Sequence, residues 1–476
     1  LSTAAAHAPS FRTHWSKRKP AFWLSRFPRR PVPRNTSPLT VRLDPLPGHL
    51  PNGKPTVRIF VGTEPRQYRA ERVLVWSIMK VRDPARAYEI RLLKDLEGID
   101  RTGWTTGFTN YRYAIPALAG GTGRAIYNDV DQLYLADPAE MFDIDMKDAG
   151  VASITERENS VMVIDCARMA GVWPLDRIKA SRGHSDLRNE AVERGLWTEL
   201  PAGWNVRDGE LPLDQTKLIH YTTLHTQPWK PFPEIYSYEE SPVGPVFHGL
   251  EAEANAAGFL LFTKEYPSPR YGELLQQYQQ MHGYEGSKDA EADAYFDGRS
   301  VQRSYAPIAR LVAETGAATI LDYGAGKGRF YAAYESEPLT SRHRSLPEWK
   351  GVKVICYDPG YAPFAEPFDG QADGVISTDV VEHIPVDDVP WIVDAIFSKA
   401  RKFVYVVAAS YPARKTLPNG ENAHCTILPP VWWQSLFDSV SAKYPEILFV
   451  LACEEKGLRG MNRSYFRGQA GRSAPL

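Results

Sequence analysis

Apolar positions along this chain recur at two spacings. "TVRIFVGT" (56–63), "YEIRLLKD" (88–95) and "RAIYNDVDQLYL" (124–135) carry apolar residues in runs of strand length, while "YRAERVLVWSIMKV" (68–81) spaces them as one face of a helix. Strand and helix alternate in this way to about residue 165, the pattern of an α/β domain with a largely parallel sheet. Loops rich in Pro, Trp and Thr follow from 200 to 247, then polar helical sequence such as "YGELLQQYQQMHGYEG". A second alternation starts near Val301: helix "SYAPIARLVAETG", strands "ATILDYG", "VKVICYD" and "DGVISTD", helix "VPWIVDAIFSKA" and strand "KFVYVVAAS". The pattern predicts an arm over 1–52, an α/β domain over 53–247, a helical connector over 248–294 and a second α/β domain over 295–476.

Composition changes this picture in one place. The chain of 476 residues is 43% hydrophobic and 24% charged with a net charge of −1, an ordinary globular balance with no overall attraction for nucleic acid. Its basic residues are crowded at the start, where Arg12, Lys17, Arg18, Lys19, Arg26, Arg29, Arg30, Arg34 and Arg42 precede the first acid, Asp44. With Trp15, Phe22, Trp23, Phe27 and many prolines, this arm reads as a targeting peptide, a contact to an anionic membrane surface, or a strap on protein. The first residue is Leu1, so the numbered form can be processed or partial. Four scattered cysteines, with no CxxC pair, fit a reducing, cytoplasmic compartment, with the arm as the contact to an inner membrane surface or a protein neighbour. No apolar run reaches membrane-spanning length.

Two stretches carry chemistry. In "RAIYNDVDQLYL", Asp129 and Asp131 stand two apart at the end of a strand, so they face the same side. Adjacent carboxylates repel, and a divalent cation between them removes the conflict; a turn or a helix cap is the plainer reading. In "ILDYGAGKGRF", an apolar strand runs into Asp322, Gly324, Gly326 and Gly328. Glycines at a strand-to-helix turn let backbone approach a ligand closely. The dinucleotide fingerprint needs a third glycine at 329, which is Arg329, so the spacing is D-x-G-x-G-x-G. Asp358 closes the next strand, where a carboxylate can accept both ribose hydroxyls, and Asp379, Glu382 and His383 follow the third, at the edge where open α/β sheets bind ligands.

The back stretch resembles the class I S-adenosylmethionine-dependent methyltransferases over roughly residues 295–476. The resemblance implies a Rossmann-like domain in which Asp322, Gly324, Gly326 and Gly328 hold the methionine end of S-adenosylmethionine, Asp358 holds the ribose, and Asp373 and Asp379 contribute nearby. His383 and His424 are the candidates for a base that takes a hydroxyl proton from a methyl acceptor. The segment "ESEPLTSRHRSLPEWKG" is expected as an inserted loop near the pocket, and "LPPVWW" either walls the acceptor site or packs the last helix.

The front stretch resembles the GT-A glycosyltransferases, most closely glycosyltransferase family 8, over about residues 55–235. The resemblance implies that Asp129 and Asp131 hold Mn²⁺ or Mg²⁺ on the diphosphate of a nucleotide sugar, with UDP-sugar as the donor and retention of configuration. Thr63 then lies at the nucleoside, Arg112 of "YRYAIP" contacts the donor, and His220 of "LIHYTTLHTQPWKP" completes the metal site, with His225 as its rival and Gln227 standing where that element has lysine. The expected whole is a bifunctional enzyme of bacterial surface glycans, adding a sugar and methylating a hydroxyl of a glycan acceptor. The alternatives are a methyltransferase whose front domain only binds, and a non-enzymatic component of a larger assembly.

Overall fold

The computed structural model describes residues 39–94, 96, 106–180, 185–261, 266–282, 296–328, 330–331, 349, 351–457 and 460–476. Nearly all of the basic arm, and the insertion 335–351 apart from Trp349 and Gly351, lie outside the described residues. Asn35–Leu476 belongs to one compact unit holding two seven-stranded α/β sheets. Among the described residues no helix is long and apolar enough to cross a membrane. Below, helices of ten or more residues are labelled α1–α6.

The front half contains β1 (Leu39–Leu43), β2 (Val57–Gly62), β3 (Tyr88–Leu93), β4 (Arg124–Asp129), β5 (Gln132–Tyr134), β6 (Val151–Ser153), β7 (Val161–Asp165), β8 (Trp197–Glu199), β9 (Val206–Arg207) and β10 (Leu218–His220). Its large sheet runs β1-β3-β2-β4-β7-β6-β8, with β3, β2 and β4 parallel. A small sheet, β5-β10-β9, stands beside it. β1 corrects the expected boundary. "LTVRL" falls within the expected arm over 1–52, yet it pairs antiparallel with β3, so the first α/β sheet takes in Leu39–Leu43.

The back sheet is built from β11 (Thr319–Tyr323), β12 (Lys353–Tyr357), β13 (Ala372–Thr378), β14 (Ala400–Ala409), β15 (Leu448–Gly457), β16 (Gly460–Gln469) and β17 (Arg472–Pro475). Its order is β12-β11-β13-β14-β15-β16-β17. The first five strands are parallel, in the doubly wound order 2-1-3-4-5. The β16–β17 hairpin extends the outer edge antiparallel. Strand order reverses between β11 and β13, which makes the crevice beyond their carboxyl ends the natural ligand site.

Helix α1 (Tyr68–Val81) explains how the halves join. It is buried nearly all round, because α2 (Gly244–Ala256) and α6 (Pro430–Ser441) cover it on the side away from the sheet. A buried helix can keep charged residues only if each finds a partner. Glu71 receives Lys94 at 2.9 Å and the Thr63 hydroxyl at 2.6 Å. Arg72 donates to Asn255 and to the carbonyl of Phe259. Arg69 binds both Glu251 oxygens, at 2.5 and 2.7 Å, and the carbonyl of Gly471 at 2.7 Å. Tyr68 meets Trp432 edge to face, and Ser435 donates to the carbonyl of Arg66. The "LPPVWW" stretch therefore packs α6, with Trp432 and Trp433 buried in the seam.

Removing one partner of a buried, bidentate pair leaves a desolvated charge, at a cost of about 3–5 kcal/mol. Arg69→Ala and Glu251→Gln should each destabilise the chain by that order in urea denaturation. Burial alone would raise the Glu251 carboxyl, but Arg69 holds it down to about 2. Its contribution is therefore full above the ordinary glutamate value and lost as pH falls from about 4.5 towards 2. Glu251→Gln should flatten the acid side of the stability profile in that window.

Candidate functional site

Among the described residues, two groups of His, Asp and Glu lie close enough to share a cation. The first is Asp129, Asp131 and His220. β4 delivers Asp129 to the carboxyl edge of the front sheet, beside Gly62 of β2, and the chain then turns into β5. β10 pairs antiparallel with β5, and the register sets His220 opposite Gln132. That pairing brings the histidine next to Asp131, with Nε2 3.3 Å from Oδ1.

The surrounding polar groups orient these three. Asn205 Oδ1 accepts from His220 Nδ1 at 2.8 Å and from Gln132, while its amide donates to Ser160. This network turns Nε2 towards Asp131. Gln227, almost fully buried, donates to Asp131 Oδ2 and to the carbonyl of Tyr221. Asp131 Oδ1 is buried without a hydrogen bond. Asp129 accepts from Arg112 at 2.9 Å and from Tyr127 at 2.5 Å. Burial raises the Asp129 carboxyl against the pull of Arg112, and Asp131 raises it further. For His220, burial opposes the charged ring, but Asp131 and Asp129 outweigh it and shift the group upward. A divalent cation would relieve the repulsion between the two carboxylates and take the place of the His220 proton, and an O,O,N donor set suits one.

His225 is exposed on the short turn Leu224–Thr226 and does not join the group. Pro228 and Trp229 anchor the segment instead: Trp229 donates to Gln67 at 2.6 Å, meets Tyr221 edge to face and packs tilted against Phe247. Arg112 is spent within the protein, on Asp129, the carbonyl of Thr109, and Asn159. Thr63 is buried at the end of β2 with its hydroxyl on Glu71.

In the back half, Asp322, the glycine turn and Asp358 meet at the carboxyl edge. Gly324, Gly326 and Gly328 all have positive φ, and a Cβ on Gly326 would fall 2.2 Å from the carbonyl oxygen of Phe296. Asp358 accepts from Gly326 N at 2.7 Å and Gly360 N at 2.8 Å, which fastens the turn to the end of β12. Asp322 is buried, accepts from Tyr331 at 2.8 Å, and is pushed up to about 7 by burial. Asp373 corrects an expectation. It sits at the amino end of β13, bonded to the backbone of Ala318 and Thr319 and to Arg401, on the opposite edge from the glycine turn.

The second group is Asp379, Glu382, His383 and His424. Asp379 follows β13 in the left-handed region, at φ 65°, and the turn Val381–His383 carries the next two. His424 arrives from the loop after β14, its ring 4.7 Å from that of His383. Val380 lies over Gly324, so this group adjoins the glycine turn. Burial pushes His383 down to about 4, with His424 adding to the shift. A proton acceptor that weak is poorly matched to general-base work near neutrality.

No protein-family model matches the chain, and no curated protein matches it significantly. Solved structures resemble it in part. One described as the bifunctional glycosyltransferase WbbM is 16% identical over 43% of this chain and 53% of its own, about half its length, with a TM-score of 0.32. The glycosyltransferase GlyE of Streptococcus pneumoniae is 14% identical over 48% of this chain and 73% of its own, TM-score 0.32. An O-methyltransferase family protein from Burkholderia thailandensis is 13% identical over 51% and 87%, TM-score 0.23. Likenesses of this size carry no functional argument, which rests on the donor groups.

A carboxyl raised to about 7 binds its proton more tightly in the folded chain than in the unfolded one. Stability contributed by Asp322 is therefore lost as pH rises from about 4 through 7. Asp322→Asn keeps an acceptor for Tyr331 and removes the penalty. It should stabilise the chain at pH 8 by more than ~1 kcal/mol and have little effect at pH 4, as read by urea denaturation at the two pH values.

Proposed function

We propose that this chain is a bifunctional transferase that adds a sugar from a nucleotide-sugar donor, with UDP-sugar the expected class, and methylates a hydroxyl of a glycan. The carrying observation is Asp131 Oδ1, buried without a hydrogen bond beside Asp129 and an oriented His220. His220 Nε2 lies 3.3 Å from that oxygen, and two carboxylates with an oriented imidazole fit a divalent cation. Asp129, Asp131 and His220 would hold Mn²⁺ or Mg²⁺, which when bound supplies charge neutralisation for a departing diphosphate. Asn205 and Gln227 position the histidine and the second carboxylate, and Arg112 with Tyr127 restrain the first.

In the back half, the glycine turn and Asp358 form the bed for S-adenosylmethionine, which when bound supplies the methyl group. Asp322 faces the place of its ammonium group, and a cation there draws the carboxyl back to its ionised form. Fusing both activities presents the product of the first at high effective concentration to the second. The setting we infer is surface polysaccharide synthesis at the cytoplasmic side, with the basic arm contacting membrane or protein.

A second reading, that the front domain only binds, is favoured by one observation: Arg112 is fully engaged inside the protein. One assay separates the two. With Mn²⁺ present, hydrolysis of a UDP-sugar panel should be measurable and should fall by at least ~100-fold in Asp129→Ala. Absence of metal-dependent turnover across the panel rejects the front activity. A thermal-shift panel should show two independent rises in midpoint, one with UDP-sugar plus Mn²⁺ and one with S-adenosylmethionine.

A further inference from the structure

We propose that Asp379, Glu382, His383 and His424 form a second metal site, which holds the acceptor hydroxyl for methyl transfer. The role assigned to the metal rests on the methyltransferase reading above; the site itself does not. One donor atom from each of the four residues lies within 4.8 Å of the others. Glu382 is completely buried, and its Oε2 has no hydrogen-bond partner, while Oε1 accepts from Ala409 N at 3.1 Å. Burial and the neighbouring Asp379 carboxyl both oppose ionisation of Glu382, and a cation between the two acids would relieve that conflict.

Both histidines are turned the way ligands are turned. His383 Nδ1 donates to the carbonyl of Ala423 at 2.9 Å, beside the Tyr278 hydroxyl. His424 Nδ1 donates to the carbonyl of Tyr411 at 2.6 Å. Each ring is thus locked in the tautomer that keeps Nε2 unprotonated, and His424 Nε2 lies 4.0 Å from Asp379 Oδ1. Two separate segments supply the four donors: the stretch just past β13 gives Asp379, Glu382 and His383, and the loop after β14 brings His424 to it.

Two imidazoles with two carboxylates select a borderline ion such as Mn²⁺, Co²⁺ or Zn²⁺ over Ca²⁺, which takes oxygen ligands. Four protein donors leave two positions of a six-coordinate ion for oxygen atoms of an acceptor. A hydroxyl bound there is more acidic than a free one and loses its proton to water more readily. His383 and His424 are then ligands, and neither needs to act as the base.

The test uses the full chain carrying Asp129→Ala and Asp131→Ala, which removes the front group. Co²⁺ is titrated and followed by its visible absorption, with the S-adenosylmethionine midpoint shift measured alongside. The expected result is one equivalent of Co²⁺, with affinity lowered at least ~100-fold by adding His424→Ala or Glu382→Gln, while the S-adenosylmethionine shift persists. No Co²⁺ binding by a chain that still shows that shift overturns the site. Co²⁺ binding without any S-adenosylmethionine shift upholds the site and rejects the methyltransferase reading. The milder background Asp131→Asn decides in the same way should the double variant fail to fold.

Discussion

A guanidinium taken out of water must have its donors satisfied, and Arg69 meets that condition only by drawing three distant segments together. Glu251 reaches it from α2, Gly471 from the turn between β16 and β17, and Ser435 Oγ accepts from its backbone amide on α6. None of these partners can be withdrawn without stranding charge in an apolar seam. The front sheet, the connecting helix and the back sheet therefore share one electrostatic keystone. α1 starts shortly after Thr63, at the carboxyl edge of β2, so the keystone also fixes the helix that borders the front site.

The two halves reach their sites by the same route. Each mixed sheet ends its parallel central strands at one edge, and the turns that follow carry acids that the strands could not tolerate inside. In the front half, the register of β10 on β5 supplies the histidine; in the back half, the loop after β14 does. Each arriving imidazole is held through Nδ1 by a neutral oxygen, an amide in one case and a backbone carbonyl in the other. Orientation by a neutral acceptor keeps Nε2 available without adding charge to a site already rich in carboxylates.

Much of this was legible in sequence because it is written in periodicity. Runs such as "ATILDYG" and "DGVISTD" announce strands, and Asp129 and Asp131 share a face by counting alone. Asn205 lies in irregular sequence, where a buried amide looks like any loop residue, and Gln227 reads only as a replaced lysine until its bond to Asp131 is seen. β1 was hidden by composition: five strand-forming residues sit among prolines and arginines, and only pairing with β3 gives them a place. Asp373 misled for a directional reason. A strand advances about 3.3 Å per residue, so an acid at its start is far from one just past its end, although both seem to belong to the same motif. The charged residues of α1 could be seen but not explained, because their partners are set by tertiary contact.

The seam has a consequence for how such a chain can change. Trp432 and Trp433 come from the back half and Tyr68 from the front, and each covers apolar surface that the other half supplies. Neither half is a cassette that could be traded for a homologous one, since the exchange would have to carry matching aromatic and charged faces with it. A substitution in α1, α2 or α6 therefore has to be matched by a complementary face across the seam, whichever half it falls in.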